Sequence, residues 1–84
     1  MSLQDSLCNI IREVLENEQI DNIKIREAQL ISLGFNSISF IKMVVKIETE
    51  FYIEYDDDML LIDKLNTLED LSKYVQSKID MREN

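Results

Sequence analysis

Histidine, tryptophan and proline are absent from this 84-residue chain, and glycine and cysteine occur once each, as Gly34 and Cys8. Each absence excludes something. Without histidine the chain lacks the commonest general base and the commonest zinc ligand, so hydrolase and metalloenzyme chemistry lose their usual instruments. One thiol cannot close an internal disulfide, and nothing calls for an oxidising compartment. With no proline and one glycine, helices meet few breakers. No apolar run approaches a membrane span, and no basic start followed by an apolar stretch marks a signal peptide. The expected setting is the cytoplasm, with no membrane association.

Positive charge is also scarce. Nine Lys and Arg stand against 17 Asp and Glu, a formal net charge of −8. Nucleic-acid binding needs cations to neutralise phosphates, so that class is excluded. An acidic protein suits partners with basic patches. A chain of this length forms one small domain, expected to span residues 1–84, and it has little room for a deep catalytic cavity. Its 45% hydrophobic content is enough for a modest core and argues against wholesale disorder.

The apolar residues that are present recur at helical spacing. Leu3, Leu7, Ile10, Ile11, Val14 and Leu15 predict an amphipathic helix over about residues 3–17, with Cys8 beside the stripe as a small buried hydrophobe. Residues 18–36 lack a sustained period and read as a long connection, with a short helical turn near Glu27 to Ile31. A connection of that length in a small domain is often functional. From Ser37 to Phe51 the period returns through Phe40, Met43, Val44, Ile47 and Phe51. A polar segment, Tyr52 to Asp58, follows, and Met59 to Leu65 is expected to form one short helix. Leu68, Leu71, Val75 and Ile79 define a last helix, and Thr67 with Asp70 resembles a capping box. The expected fold is all-α: a small four-helix bundle of three main helices and one short one, with a long loop between the first two.

Candidate chemistry concentrates in Leu33-Gly34-Phe35-Asn36-Ser37-Ile38. Gly34 permits a left-handed turn, and Asn36 and Ser37 are both good N-cap residues. Ser37 therefore opens the second main helix with its hydroxyl near solvent. The first N–H groups of a helix lack internal partners and carry partial positive charge, so a phosphate ester on Ser37 would lie in a favourable field. The same residues also fit a helix that is merely capped there.

These six residues resemble the attachment motif of acyl and peptidyl carrier proteins: leucine, glycine, any residue, an acidic or amide residue, serine, then an aliphatic. The resemblance extends over nearly the whole chain, through Phe51-Tyr52-Ile53-Glu54 to the helix start at Thr67-Leu68-Glu69-Asp70-Leu71. It implies a carrier that is not an enzyme. Its Ser37 would receive a 4'-phosphopantetheine arm from coenzyme A through a phosphopantetheinyl transferase and magnesium. The arm would hold an acyl or aminoacyl group as a thioester, loaded by a ligase and passed to downstream synthase enzymes. A freestanding monomer is expected. The alternative is a structural helical interaction module with a capping serine.

Two features depart from fatty-acid carriers as the resemblance presents them. Asn36 stands where many have aspartate, and Lys42 and Lys46 offset Glu48 and Glu50, leaving the second main helix near neutral. Both lean toward a dedicated secondary-metabolite, polyketide or nonribosomal-peptide-type pathway, with fatty-acid synthesis as the alternative. Glu48, Glu50, Glu54, Asp56, Asp57 and Asp58 form an acidic run with no compensating base. It reads either as a solvated loop or as a docking surface that includes Asp57. Calcium-loop spacing is absent, since such a loop alternates its ligands around a glycine, and no metal site is expected. Ile38, Ile41 and Val45 share one side of the helix. They are either ordinary surface aliphatics or, with Asn36, a partner-contact patch near the arm.

Overall fold

The computed structural model describes residues 2–60 and 64–82. Helix α1 spans Leu3–Leu15, α2 Asn22–Glu27, α3 Leu30–Leu33, α4 Ser37–Phe51 and α5 Leu68–Arg82, with a 3-10 turn at Asp57–Met59 between the last two. Three long helices with shorter ones between them make the expected all-α bundle, and no strand occurs among the described residues.

The ends of α1 follow from its sequence. Ser2 caps it by accepting from the Asp5 N–H at 3.1 Å, and Asp5 lies in the first turn where the dipole favours an anion. The helix stops at Leu15 rather than running to 17, because Glu16 adopts a left-handed conformation at φ 54°. Leu7, Cys8, Ile10 and Ile11 are its buried face. Burial also pushes the Cys8 thiol above its ordinary range, against the pull of Arg12 and Arg26, which suits packing rather than nucleophilic chemistry.

The long connection is more ordered than its irregular apolar spacing indicates. Arg12 fastens it to α1, donating to Ile20 O at 3.0 Å and Asn22 Oδ1 at 2.6 Å. Asp21 caps α2 through the Lys24 N–H, and α2 sinks Ile25 completely into the core. The helical turn expected near Glu27 to Ile31 is interrupted. Ala28 and Gln29 are extended, Gln29 forms an isolated antiparallel bridge with Thr67, and Leu30 N donates to Asn66 O at 2.8 Å. Pairing with the chain just before α5 satisfies these backbone groups better than a continued helix would.

Helix α4 buries Phe40, Met43, Val44 and Ile47, while Phe51 is half-buried. Each such side chain contributes at most roughly 1.5–3 kcal/mol by removal from water. A cap contributes about 1 kcal/mol. Packing therefore decides that α4 forms, and the cap decides where it begins. Helix α5 starts as its sequence predicts, with the Asp70 N–H donating to Thr67 Oγ1 at 3.1 Å, and packs Leu68, Leu71 and Val75 against α1.

Between α4 and α5 three expectations change. The segment after Phe51 is not simply polar, because Ile53 and Tyr55 are buried while Glu54 between them is exposed. The acidic run does have a compensating base. Lys78 of α5 reaches Asp56 Oδ1 at 3.0 Å, and Tyr74 Oη both accepts from the Asp56 N–H and donates to Asp56 Oδ2, each at 2.9 Å. The short helix expected over Met59 to Leu65 lies partly, at 61–63, outside the described residues, and the 3-10 turn at Asp57–Met59 shares only Met59 with it. Met59 and Leu60 are half-buried and Leu65 is buried.

Candidate functional site

The segment Leu33-Gly34-Phe35-Asn36-Ser37 is built residue by residue. Gly34 ends α3 at φ 112°, and its N–H donates to Ile31 O at 3.1 Å. A Cβ there would lie 3.8 Å from Leu15 Cδ2, an ordinary contact, so backbone conformation and not crowding calls for glycine. Phe35 follows as a plug: its ring is buried, and its N–H donates to Leu30 O at 3.1 Å. The chain then turns out to solvent at Asn36.

Asn36 is the N-cap of α4. Its Oδ1 accepts from the Ser39 N–H at 2.9 Å, and Ser39 Oγ accepts from the Asn36 N–H at 2.8 Å. This reciprocal pair is a capping box in which serine does the work usually given to glutamate. Of the two cap candidates, the structure selects Asn36. Ser37 is the first helical residue, exposed, and no hydrogen bond among the described residues engages its hydroxyl. The Phe40 N–H donates to Asn36 O at 2.9 Å, so the third and fourth amides of the helix are taken up. No described residue accepts from the N–H groups of Ser37 and Ile38.

The result is a primary hydroxyl, free and facing water, beside two open amides at the positive end of a 15-residue helix. No base is bonded to it among the described residues: the chain has no histidine, and the only charged residues from Asn36 to Ile47 are Lys42 and Lys46. Such a hydroxyl does not activate itself. It can be modified by another protein, and a phosphodiester formed on it would meet donors and a favourable dipole. The site thus fits a phosphate-linked group.

Ile38, Ile41 and Val45 are 70%, 41% and 54% exposed and follow Ser37 along one side of α4. Ile41 and Val45 meet Val14 of α1 in a shallow groove rimmed by Glu13, Lys42 and Lys46. The structure therefore brings Asn36, Ser37, Ile38, Ile41 and Val45 onto one continuous surface. Asn36 reaches it with its side-chain oxygen committed to the cap. Asp57 stands on a different element, exposed in the 3-10 turn next to the Asp56 contact with α5. Among the described residues no group of three or more acids or cysteines is placed to hold a metal ion, and no helix is long and apolar enough to cross a membrane.

Ser39 was not among the residues singled out in the sequence. Its signal was present, a polar side chain three residues after an asparagine, but serine at that position is a weak mark of a capping box. Tyr74 and Lys78 carried no local signal, because their partner Asp56 lies 18 and 22 residues away.

Comparison with known proteins agrees with this geometry. Residues 5–75 match the family model described as "Phosphopantetheine attachment site". The chain is 32% identical over 79 residues to a protein of Desulforapulum autotrophicum named "Acyl carrier protein", covering 93% of this chain and 99% of that one. No solved structure matches it.

Proposed function

Because the chain belongs to the phosphopantetheine attachment-site family, we propose that Ser37 is its point of attachment. Membership makes the protein a non-catalytic carrier whose prosthetic group is 4'-phosphopantetheine. When attached, that group supplies the terminal thiol on which cargo is held as a thioester.

The observation that carries the assignment is the division of labour at the start of α4. Asn36 and Ser39 close the helix end between them, so Ser37 has no structural duty and its hydroxyl is free. A phosphopantetheinyl transferase with coenzyme A and magnesium supplies the missing base. The Ser37 oxygen takes the phosphopantetheine phosphorus, 3',5'-ADP leaves, and the serine proton passes to the transferase. The chain's own contribution is presentation: Gly34 turns the backbone, Phe35 anchors it, and the open amides of Ser37 and Ile38 would offer donors to the phosphodiester once it is attached.

The relative's name favours acyl over aminoacyl cargo. Asn36 before the serine and the lysines of α4 support a dedicated secondary-metabolite or polyketide-type pathway over general fatty-acid synthesis. Loading and downstream synthase enzymes meet the surface of Ile38, Ile41 and Val45, and Asp57 offers a second, acidic contact.

The test is direct. Incubated with coenzyme A and a panel of transferases, the wild-type chain gains one phosphopantetheine mass, and the Ser37→Ala chain gains none. A wild-type chain left unmodified across the panel sinks the carrier assignment. A modified Ser37→Ala chain moves the attachment to another residue.

A further inference from the structure

The chain's charge of −8 points to basic partners, but the helix that Ser37 opens carries no acid before Glu48. From Asn36 to Ile47 there is no acidic residue, and the two charges present are Lys42 and Lys46. Both are exposed and, with Ile41, Val45 and Val14, line the groove between α4 and α1, whose α1 wall carries Glu13 and Glu16. Lys46 is half spent, lying 3.7 Å from Glu13 Oε1 across the groove. Lys42 has no ion pair among the described residues. It lies about 7–8 Å along the helix axis from Ser37, about 1.4 turns on. The nearest acids in sequence after it, Glu48 and Glu50, begin beyond Ile47, towards the other end of the helix.

We infer that the α4 face around Ser37 docks on a transferase surface that is apolar with an anionic group opposite Lys42, not on a basic one. This rests on Ser37 being the attachment point. Ile38, Ile41 and Val45 fill the apolar part of the contact, and they are the large exposed aliphatics of α4. Lys42 supplies the sign. Charges at an interface rim set encounter rate and exclude wrong partners more than they add affinity. At physiological ionic strength the screening length is about 8 Å, so a partner docked over Ser37 feels Lys42 more than the acids beyond Ile47 or on the α5 side. Glu16 also lines the groove, but on the α1 wall, and it belongs to the C-terminal cap of that helix.

The experiment measures kcat/KM for attachment of the arm to the full chain, using the source organism's own phosphopantetheinyl transferase and coenzyme A. Wild type, Lys42→Glu and Lys73→Glu are compared at low and high salt. Lys73 gives the same charge change on the exposed side of α5, where it pairs with Glu69 at 3.3 Å. The expected result is a loss of about fivefold for Lys42→Glu at low salt, shrinking towards wild type as salt rises, with Lys73→Glu within about twofold of wild type. A Lys42→Glu chain that loads as fast as wild type, or faster, overturns the inference while leaving Ser37 as the attachment point. Equal losses in both variants also overturn it, because they assign the effect to overall charge. A wild-type chain that takes no arm brings down the Ser37 reading itself.

Discussion

Single alanine substitutions at Asn36, Ser37 and Ser39 separate capping from carrying, because the structure assigns each a different duty. Asn36→Ala removes the oxygen that accepts from the Ser39 N–H at 2.9 Å. Loss of such a cap costs about 1 kcal/mol. Ser39→Ala removes the oxygen that accepts from the Asn36 N–H at 2.8 Å. That bond is exposed and contributes about 0.5–1 kcal/mol, and alanine's better helix propensity returns up to about 0.5 kcal/mol, leaving a net cost of about 0.5 kcal/mol or less. Ser37→Ala loses no hydrogen bond and keeps the propensity gain, so its stability is unchanged or higher by up to about 0.5 kcal/mol. In a domain of this size about 1 kcal/mol moves Tm by roughly 4–8 °C. Thermal melts of the unmodified proteins, followed by far-UV circular dichroism, should therefore rank Asn36→Ala lowest, then Ser39→Ala, with Ser37→Ala at or above wild type. The double variant Asn36→Ala with Ser39→Ala should lose less than the sum of the singles, because both act in one box. If Ser37→Ala falls as far as Asn36→Ala, Ser37 is a capping residue, and the argument from its unused hydroxyl fails.

Two further outcomes follow from the contact between residues 52–56 and α5. Tyr55 and Tyr74 pack edge to face at 4.9 Å, but the buried Tyr55 hydroxyl has no partner among the described residues, whereas the Tyr74 hydroxyl makes two hydrogen bonds to Asp56. Tyr55→Phe should then be neutral or stabilising by up to about 1 kcal/mol and Tyr74→Phe destabilising by about 1–2 kcal/mol, with urea titrations checking the opposite signs. Hydrogen bonds from Lys78 first and Tyr74 second hold the Asp56 carboxyl below its usual range, so its contribution is complete above about pH 4 and is lost as pH falls through its lower folded value. Asp56→Asn should accordingly lose less Tm than wild type between pH 5 and acid pH, and parallel curves for the two proteins would refute the assignment.

What the sequence made legible divides by range. The stripes of α1, α4 and α5 are read at spacings of three and four residues, and burial of Leu7, Phe40, Ile47 and Leu71 follows from that period alone. The attachment motif is legible for the same reason, since all its parts lie within six residues. Its internal roles were not. Asn36 and Ser37 are equally good caps by residue type, and only the backbone, extended at Asn36 and helical from Ser37, decides which oxygen turns inward. The connection from residue 18 to 36 was legible as long but not as ordered. Its order comes from Arg12 reaching Ile20 and Asn22, and from Asn66 and Thr67 pairing with residues 29–31 across more than 30 positions. No local period encodes such contacts.

The acidic run shows most sharply how a charge reads differently in space. Counted along the chain, Asp56 is one of six uncompensated acids. In the fold it is held by Lys78 and Tyr74, and Glu48 accepts from the Tyr55 N–H at 2.9 Å. Two members of the run are thus structural, tying residues 52–56 to α4 and α5, while Glu50, Glu54, Asp57 and Asp58 remain exposed. The same shift applies at the functional end. A chain of net charge −8 opens α4 at Ser37 with no acid before Glu48, so under the docking proposed above a partner over Ser37 meets Lys42 before it meets that helix's glutamates. If Ser37 carries the arm, substitutions at Ile38, Ile41, Lys42 and Val45 should change partner choice while leaving the core and the cap untouched.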